Sequence, residues 1–499
     1  MSGTGEMRRG WILAALMLTM ALAAMDITIV STAIPQIVTD LGGFTKISWV
    51  FSIYLLAQTV TIPLYGKLSD LFGRKRVLIY GVVIFLIGSA ASAAAWDIGS
   101  LIAFRCLQGL GAGSIMATVN TIAGDIFTVE ERARVQGYLS SVWGISAIVG
   151  PALGGALAEY ATWRWIFLIN LPLGAAAIAV LVFFFKERAV QGHPKIDYKG
   201  AVLVTGTLSL LFIFLLEGGQ SWAWTSPQSL ALLAVVAALA FWTYRVEKAT
   251  PHAILPIWVW RHPTLALTNL AVAGLGLAMM GPETFLPTFA QAYLGLGAIA
   301  SGFVLASMSI GWPTASALSG RIYLRIGFRE TSMIGAVLVL MASVGFLLIP
   351  TPQPVYLLVL DQVLIGAGFG LISTPSLVGI QSMVGWEQRG VVTGANVFTR
   401  NLGSSLGAAV MGAIFNTSLS RQLTRGPEGI PAATTDILSV IKDPVLPEAV
   451  RTFLREAINT AMHHVYWGLV LIALLTFLCL YRVPHRDPKD TTLVQVEQP

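Results

Sequence analysis

Four charged side chains interrupt long apolar stretches of this sequence, and their types and positions could support chemistry. Asp26 lies in LAAMDITIVSTAIP, Arg105 in LIAFRCLQGLGAG, Glu283 in GPETFLP and Asp361 in LVLDQVL. A charge at the centre of a membrane-spanning helix costs about 2.5 to 3.5 kcal/mol or more, so such a residue is a functional candidate by default. Carboxylates in that setting can bind protons or cations.

Asp26 and Arg105 are expected to lie at similar depth. At about 1.5 Å per helical residue, Asp26 is about 10 to 14 Å below the outer end of its helix, and Arg105 is at about the same level. A guanidinium cannot lose its proton, so Arg105 favours an ionised Asp26 while burial favours a protonated one. The sequence therefore predicts that Asp26 binds a proton or a cation. A structural, hydrogen-bonding aspartate is the alternative.

The second part of the chain offers two further acids. Glu283 lies between two prolines, which predicts a locally broken helix whose freed carbonyl groups face a cavity. Asp361 is either a functional acid or one half of an ion pair with Arg400 that braces the helices. The predicted proton-coupling residues are Asp26, Glu283 and Asp361, and the predicted partners or cavity residues are Arg105, Asn396 and Arg400.

The helices that must position these residues dominate the composition. Of 499 residues, 55% are hydrophobic and only 11% are charged, and the mean hydropathy is +0.74. Apolar runs long enough to cross a bilayer, about 20 residues each, occur fourteen times: 11–33, 47–65, 77–95, 100–123, 136–157, 166–185, 200–217, 227–244, 264–291, 299–320, 331–350, 355–379, 390–415 and 463–482. The predicted fold class is all-α integral membrane with fourteen spans, or thirteen if two neighbours merge.

The distribution of basic residues predicts the orientation in the membrane. Most of the 31 Lys and Arg residues fall in loops on one side if the N-terminus is cytoplasmic. Short cytoplasmic loops carry the positive charge, and an even number of spans returns the C-terminus to the same side. The sequence thus predicts a multi-pass protein with both termini cytoplasmic. We also expect it to act as a monomer in the cell (inner) membrane. The net charge of +6 follows from this topology, and no nucleic-acid partner is expected.

Glycines recur at a nearly fixed interval, which indicates a duplicated half. Gly66, Gly73 and Gly81 recur 254 residues later, and a second set that includes Arg132 recurs 257 residues later as a set that includes Arg389. Parallel repeats around a central site are one build of secondary transporters. The predicted domains are an N-terminal six-helix bundle at 1–190, a linker with two inserted transmembrane helices at 191–254, a C-terminal six-helix bundle at 255–482 with an outer loop at 416–462, and a cytoplasmic tail at 483–499.

The loop after the second span reads GKLSDLFGRKR. Gly66 and Gly73 permit a tight turn with close helix approach, Asp70 can accept charge-assisted bonds or meet a helix N-terminus, and Arg74 and Lys75 hold the loop inside. This pattern resembles motif A of the major facilitator superfamily, G-x-L-x-D-x-x-G-R-K. The resemblance implies that these residues latch the inner side and govern conformational switching.

Two more motifs extend the resemblance over nearly the whole chain. RCLQGLGAG around Arg105 resembles motif B, and its glycines lie inside a span, where they predict helix packing rather than a nucleotide site. A segment that resembles motif C, the signature of the antiporter branch, contains Gly144, Gly150, Pro151, Gly154 and Gly155. The two inserted spans and MDITIVSTAIP, which is similar to LDxTIVNVALP, point to the fourteen-span drug:proton antiporter branch.

The resemblance implies a non-enzymatic, proton-coupled antiporter that exports amphiphilic, cationic drugs by alternating access. No nucleotide-binding loop of the form G-x-x-x-x-G-K-[ST] occurs, so an ion gradient is the expected drive, with no cofactor and no metal. The expected partners are a proton, a small amphiphilic substrate and the lipid bilayer. A dedicated lipid or metabolite exporter of the same fold is the alternative, and a non-transporting membrane sensor or enzyme is a more remote one.

Overall fold

The computed structural model describes residues 2–42, 46–187, 196–218, 222–250, 252–349, 354–426, 441 and 446–485, with side chains from residue 8 onward except at 298. This part of the chain is almost entirely helical. Its only β feature is an isolated bridge between Gly218 and Trp222. The predicted linker and outer loop are described in part, and nearly all of the predicted tail lies outside the described residues.

The first six predicted spans correspond to helices in the first part of the chain: α1 (Ser2–Thr32), followed by the short α2 (Ile34–Leu41), then α3 (Ile47–Phe72), α4 (Arg74–Ala93), α5 (Ile98–Ile126), α6 (Val129–Tyr160), and the consecutive α7 (Trp165–Leu168) and α8 (Asn170–Phe184). The two inserted spans are α9 (Tyr198–Glu217) and α10 (Pro227–Ala249).

The remaining helices include the predicted second half: α11 (Ile257–Arg261), α12 (Pro263–Ala292), α13 (Ala298–Ala306), α14 (Met308–Ile326), α15 (Phe328–Leu348), α16 (Val355–Ser382), α17 (Arg389–Leu423) and α18 (Glu448–Tyr481). A 3-10 turn at Trp386–Gln388 precedes α17.

Within the described residues, thirteen helical segments are long and apolar enough to cross a membrane. The tenth predicted span, 299–320, is not among these thirteen, because it is divided between α13 and α14, which meet at Ser307. The Ser307 hydroxyl donates 2.6 Å to the carbonyl of Val304, one turn back. Such a bond competes with the helical ladder and favours a bend at this point.

Proline affects the helices less than the sequence predicts. Glu283 is expected in a broken helix, but α12 runs without interruption from Pro263 to Ala292, through Pro282 and Pro287. The expected break is therefore wrong, because neighbouring helices can hold a proline-containing helix together. The last helix is also longer than its predicted span, since α18 begins at Glu448 within the predicted outer loop.

Two helices, α5 and α6, begin with a capping box. Asp97 accepts the backbone N–H of Ser100 at 2.6 Å at the start of α5, and the Ser100 hydroxyl lies 3.1 Å from the Asp97 N–H. This reciprocal arrangement satisfies two N–H groups that the helix leaves free. It also lowers the pKa of the Asp97 carboxyl, chiefly through the Ser100 N–H. Thr128 and Glu131 form the same box at the start of α6.

The described residues form two compact units. The first contains the described parts of Met1–Ala266 together with Leu377–Phe398, and the second contains Leu267–Ser376 and the described part of Thr399–Arg486. The inserted pair α9 and α10 therefore belongs with the first unit, where α9 packs on α3. The domain boundaries predicted from the repeat stay a prediction.

Glycines permit close helix packing inside the first unit. A Cβ at Gly109 would lie 2.5 Å from the Tyr54 carbonyl oxygen, and one at Gly111 would lie 2.4 Å from the Phe85 nitrogen. A Cβ at Gly113 would lie 2.1 Å from the Thr61 hydroxyl. The motif B glycines of α5 thus contact α3 and α4, and this contact holds the helix that carries Arg105 against its neighbours.

Candidate functional site

Asp26 and Arg105 form an ion pair in the interior of the first unit. Both side chains are fully buried, and an Arg105 Nη1–H donates to Asp26 Oδ2. Asp26 Oδ1 accepts from Gln108 at 2.7 Å and from Asn170 at 3.4 Å. Asp26 and Arg105, which the sequence predicts at similar depth, are thus in direct contact in the structure.

Further contacts fix the arginine of this pair. Arg105 donates to the Val50 carbonyl at 3.2 Å and to Gln108 Oε1 at 2.8 Å. Its guanidinium carbon lies 4.2 Å from the centre of the Tyr54 ring, within the range of a cation–π contact. Ser89 lies within hydrogen-bond distance of both Gln108 (3.3 Å) and Asn170 (3.0 Å). A buried ion pair is stable only when such additional bonds satisfy it.

Four polar residues that the sequence did not single out complete this cluster: Tyr54, Ser89, Gln108 and Asn170. Gln108 lies one helical turn after Arg105, so helical spacing could have indicated it. Asn170 could not have been found this way, because it lies on α8, far along the chain.

Glu283 has a different environment. It lies in the middle of α12 in the second unit and is only partly buried. With the described residues its carboxylate forms neither a hydrogen bond nor an ion pair. Phe285, two residues on, stacks on Phe415 with ring centres 4.3 Å apart, which packs α12 against α17. Glu283 thus lies on a firmly packed helix and has no counter-charge among the described residues.

Asp361 lies at the outer-side start of α16 by the predicted topology and is 4% exposed. Its Oδ2 accepts from the Tyr466 hydroxyl at 2.7 Å and from Gln362 Nε2 at 2.8 Å. Its Oδ1 is buried and has no hydrogen-bond partner among the described residues. The Phe346 ring stacks on Tyr466 with centres 3.6 Å apart. The Asp361 carboxylate therefore accepts hydrogen bonds from two neutral side chains, and one of them, Tyr466, is packed against an aromatic ring.

The alternative of an Asp361–Arg400 ion pair is wrong, since neutral side chains bond Asp361 instead. With the described residues, the Arg400 guanidinium forms no hydrogen bond or ion pair. The Arg400 backbone is held by α12, because a Cβ at Gly276 would lie 2.1 Å from its carbonyl oxygen. Asn396 is 5% exposed and belongs to the first unit, whereas Arg400 belongs to the second.

Asp70 of the motif A segment caps the start of α17. Asp70 Oδ1 accepts from the Arg74 guanidinium at 2.6 Å and from the Gly390 N–H at 2.9 Å, and Oδ2 accepts from the Val391 N–H at 2.9 Å. Free N–H groups and the helix dipole favour a carboxylate at such a helix start. All these residues belong to the first unit. The structure therefore brings Asp70 to a helix N-terminus, as its residue type allows.

Arg74 extends this contact to two further elements. Its Nε lies 2.9 Å from Asp125 Oδ2, and its guanidinium carbon lies 3.6 Å from the centre of the Trp386 ring. Arg389 donates to the other oxygen of Asp125 at 2.5 Å. We call this group, Asp70, Arg74, Asp125, Trp386 and Arg389, the Asp70 latch. Asp125 and Trp386 belong to none of the sequence motifs described above. Arg389 was indicated only as the repeat of Arg132.

The two motif A glycines are required by close contacts. A Cβ at Gly66 would lie 2.7 Å from the Gly390 carbonyl oxygen, so α3 and α17 meet backbone to backbone. Gly73 has a φ of +96°, which other residues rarely adopt. Lys75 donates from its ammonium to the carbonyls of Val182 (3.0 Å) and Phe185 (2.6 Å).

The motif C glycines pack against the helix that carries Asp26. A Cβ at Gly150 would lie 2.0 Å from the Thr28 hydroxyl, and one at Gly154 would lie 2.3 Å from the Thr32 hydroxyl. Thr28 also donates to the Ser146 carbonyl on α6 at 2.9 Å.

The other motif C residues differ in their surroundings. Gly144 is buried, and Pro151 lies inside the continuous helix α6. Nothing lies within 4 Å of a Cβ placed at Gly155, so that glycine is not required by packing.

Helices of membrane-spanning length, with buried acids and the Asp70 latch, define a multi-pass, all-α membrane transporter. The chain belongs to the major facilitator superfamily, since the family model described as Major Facilitator Superfamily matches residues 16–408. The predicted family and fold class are thus confirmed. In the described residues, no group of three or more His, Cys, Asp or Glu could hold a metal ion.

Similar proteins include bacterial transporters. The multidrug transporter protein MdtP of Bacillus subtilis is 31% identical over 519 residues, covering 96% of this chain and 94% of the relative. Multidrug resistance protein 3 of the same organism is 31% identical over 473 residues, covering 91% of each. The crystal structure of the human organic anion transporter MFSD10 (TETRAN) matches with a TM-score of 0.62 at 15% identity, covering 95% of this chain and 99% of that one. This last likeness shows the fold alone.

Proposed function

We propose that this transporter is a proton-coupled antiporter that exports amphiphilic, cationic drugs from the cytoplasm by alternating access. It acts in the cell (inner) membrane as a monomer with both termini cytoplasmic. The observation that carries the proposal is that two acids within spans, Glu283 and Asp361, have no cationic partner among the described residues. Multidrug transport by relatives about one-third identical over most of their length supports the substrate class.

Glu283 and Asp361 are the proposed proton carriers. An isolated ionised carboxylate away from water is very costly, so such a group is stable when it holds a proton or a bound cation. Asp361 retains two neutral donors on one oxygen and leaves the other oxygen free for that proton. A cationic substrate provides the alternative positive charge. Proton and substrate therefore compete for the same acids, as antiport requires.

Asp26 has a different role in this scheme because Arg105 already neutralises it. A proton that binds Asp26 removes that attraction and frees Arg105 to move within its cluster. Thr28 lies two residues after Asp26, just over half a helical turn along α1, and its hydroxyl bonds the Ser146 carbonyl on α6. A shift of α1 at Asp26 therefore reaches α6 through this motif C contact. Asp26 is thus the proposed site at which proton binding alters helix packing.

The number of working acids decides the energy available. Each charge moved across the membrane is worth about 2.3 kcal/mol per 100 mV, which supports a substrate gradient of roughly 40-fold. Exchange of one proton for one monovalent cation moves no net charge. Two or more titrating acids allow the export of a cation to be driven by the membrane potential as well as by the proton gradient.

Alternating access also requires a reversible closure at the predicted cytoplasmic ends of the helices. The Asp70 latch supplies it in this proposal, because its bonds join α3, α4 and α5 to the start of α17. Release of these bonds opens the path to the cytoplasm, and their formation closes it. Asp70 is then a conformational residue and not a substrate ligand.

The test uses purified protein in liposomes that enclose a pH-sensitive dye. Addition of a cationic dye such as ethidium is expected to drive protons in the opposite direction, and sodium is expected to have no effect. Transport of the cation without proton movement would overturn the coupling. Movement of lipid with no transport of any cationic dye would favour the dedicated exporter instead.

A further inference from the structure

The first turn of α4 is capped by a residue from a distant segment. Glu187, three residues after the end of α8, accepts the backbone N–H groups of Arg74 and of Lys75, the latter at 3.1 Å. A Cβ at Gly73 would lie 2.7 Å from the Glu187 carboxylate, and the φ of +96° at this position also favours glycine. These N–H groups have no partner within their own helix. Glu187 therefore replaces the local N-cap that α4 lacks.

The contact is reciprocal. Lys75, in the same turn of α4, donates to the Val182 and Phe185 carbonyls at the end of α8. These carbonyls are likewise left free by their helix, and a cation at a helix C-terminus is favourable. The start of α4 and the end of α8 thus satisfy each other's free backbone groups. The contact lies directly before the segment that leads to α9 and α10.

Arg74 connects this cap to the Asp70 latch. Its backbone N–H is bonded to Glu187, while its guanidinium reaches Asp70, Asp125 and Trp386. A guanidinium that meets three partners at 2.6, 2.9 and 3.6 Å tolerates little displacement of its own backbone. We propose that Glu187 is a positioning residue of the Asp70 latch, which it stabilises by fixing the backbone of Arg74. This inference concerns the closure itself and holds whatever the coupling ion or substrate.

The second half of the chain provides an internal comparison. Gly327, the repeat of Gly73, has a φ of +103°, and a Cβ there would lie 2.5 Å from the carboxylate of Glu330. A glutamate thus covers this glycine in both halves. In the second half it comes from the same helix and contacts His485 at 2.8 Å, and Leu324 replaces the aspartate. Only in the first half does the glutamate come from a separate segment and touch a latch residue.

Amide hydrogen exchange of the purified full-length protein tests the proposal without reference to transport. Exchange is followed in two peptides. One covers the first turn of α4, whose N–H groups donate hydrogen bonds to Glu187, and the other covers the first turn of α17, whose N–H groups donate to Asp70. Glu187→Ala is expected to raise exchange at least about fivefold in both, the loss of about one hydrogen bond's worth of protection. Glu187→Gln keeps one neutral acceptor oxygen in place of two charged ones, so it is expected to raise exchange by less than Glu187→Ala does. Lys186→Ala, a neighbouring exposed residue, is the matched control and should change neither peptide.

Faster exchange at α4 with unchanged exchange at α17 would overturn the proposal, because Glu187 would then be a cap and nothing more. Unchanged exchange at both would overturn it too, as would a glutamine variant as fast as alanine. Lys75→Met provides a second perturbation, should the alanine variant fail to fold. It loosens the same pair of helix ends and is expected to raise exchange in both peptides, and no change in the α17 peptide would again count against the proposal.

Discussion

Replacing Arg105 by glutamine should destabilise the protein far more than replacing both members of its ion pair. The single variant leaves the Asp26 carboxylate fully buried, with Gln108 and Asn170 as its remaining donors among the described residues. Removal of one partner of a buried pair costs about 3 to 5 kcal/mol. In a chain of this size that corresponds to a fall of roughly 5 °C in the unfolding temperature. The double variant Asp26→Asn, Arg105→Gln buries no charge and is expected to recover more than half of that loss.

The assay is thermal unfolding of the detergent-purified variants, followed by tryptophan fluorescence. Arg164→Gln is the matched control, because Arg164 and Asp40 form an exposed pair at 3.2 Å, and such pairs contribute about 0 to 1 kcal/mol. A double variant that is less stable than either single variant would refute the reasoning. So would an Arg164→Gln variant that loses as much stability as Arg105→Gln.

Three further predictions concern the latch, motif C and Glu187. Asp70→Asn should raise amide exchange in the first turn of α17 about tenfold, since a charged acceptor is lost; wild-type exchange would contradict the latch. Gly150→Ala should lower the unfolding temperature by collision with Thr28, and Gly155→Ala should not; equal shifts would refute the packing account. Burial, the largest influence, raises the pKa of Glu187. Its folded form therefore binds a proton more readily than the unfolded form, and stability is lost as pH rises. When the pH is lowered from 7.5 to 5, the unfolding temperature of the wild type should rise relative to that of Glu187→Gln. A fall relative to Glu187→Gln would contradict the prediction.

Much of the fold follows from the sequence because its signals are local. Each predicted span corresponds to helix in the structure, since a run of apolar residues of bilayer length can satisfy its backbone only as a helix. The break at Ser307 was missed because a serine bond to the preceding turn has no clear sequence signature. The continuity of α12 could not be predicted either. Proline is a clear sequence signal for a break, but its effect depends on the helices around it.

The candidate sites could be predicted only in part. Depth along a helix brought Asp26 and Arg105 to one level, and the structure pairs them. Helical depth alone cannot show which face a side chain occupies. The alternative that paired Asp361 with Arg400 is wrong because Tyr466 and Gln362 bond the carboxylate instead. Glu187 had no signal at all, because it acts on backbone N–H groups more than 100 residues away.

The strongest test of the proposal is proton movement in liposomes by a variant whose three proposed proton-binding acids are replaced by amides. Asp26→Asn, Glu283→Gln and Asp361→Asn are combined in one protein, with Glu159→Gln, an exposed acid at the end of α6, as the control. We expect a cationic dye to drive protons through the control at the wild-type rate and through the triple variant not at all. Undiminished proton movement in the triple variant would contradict the proposal.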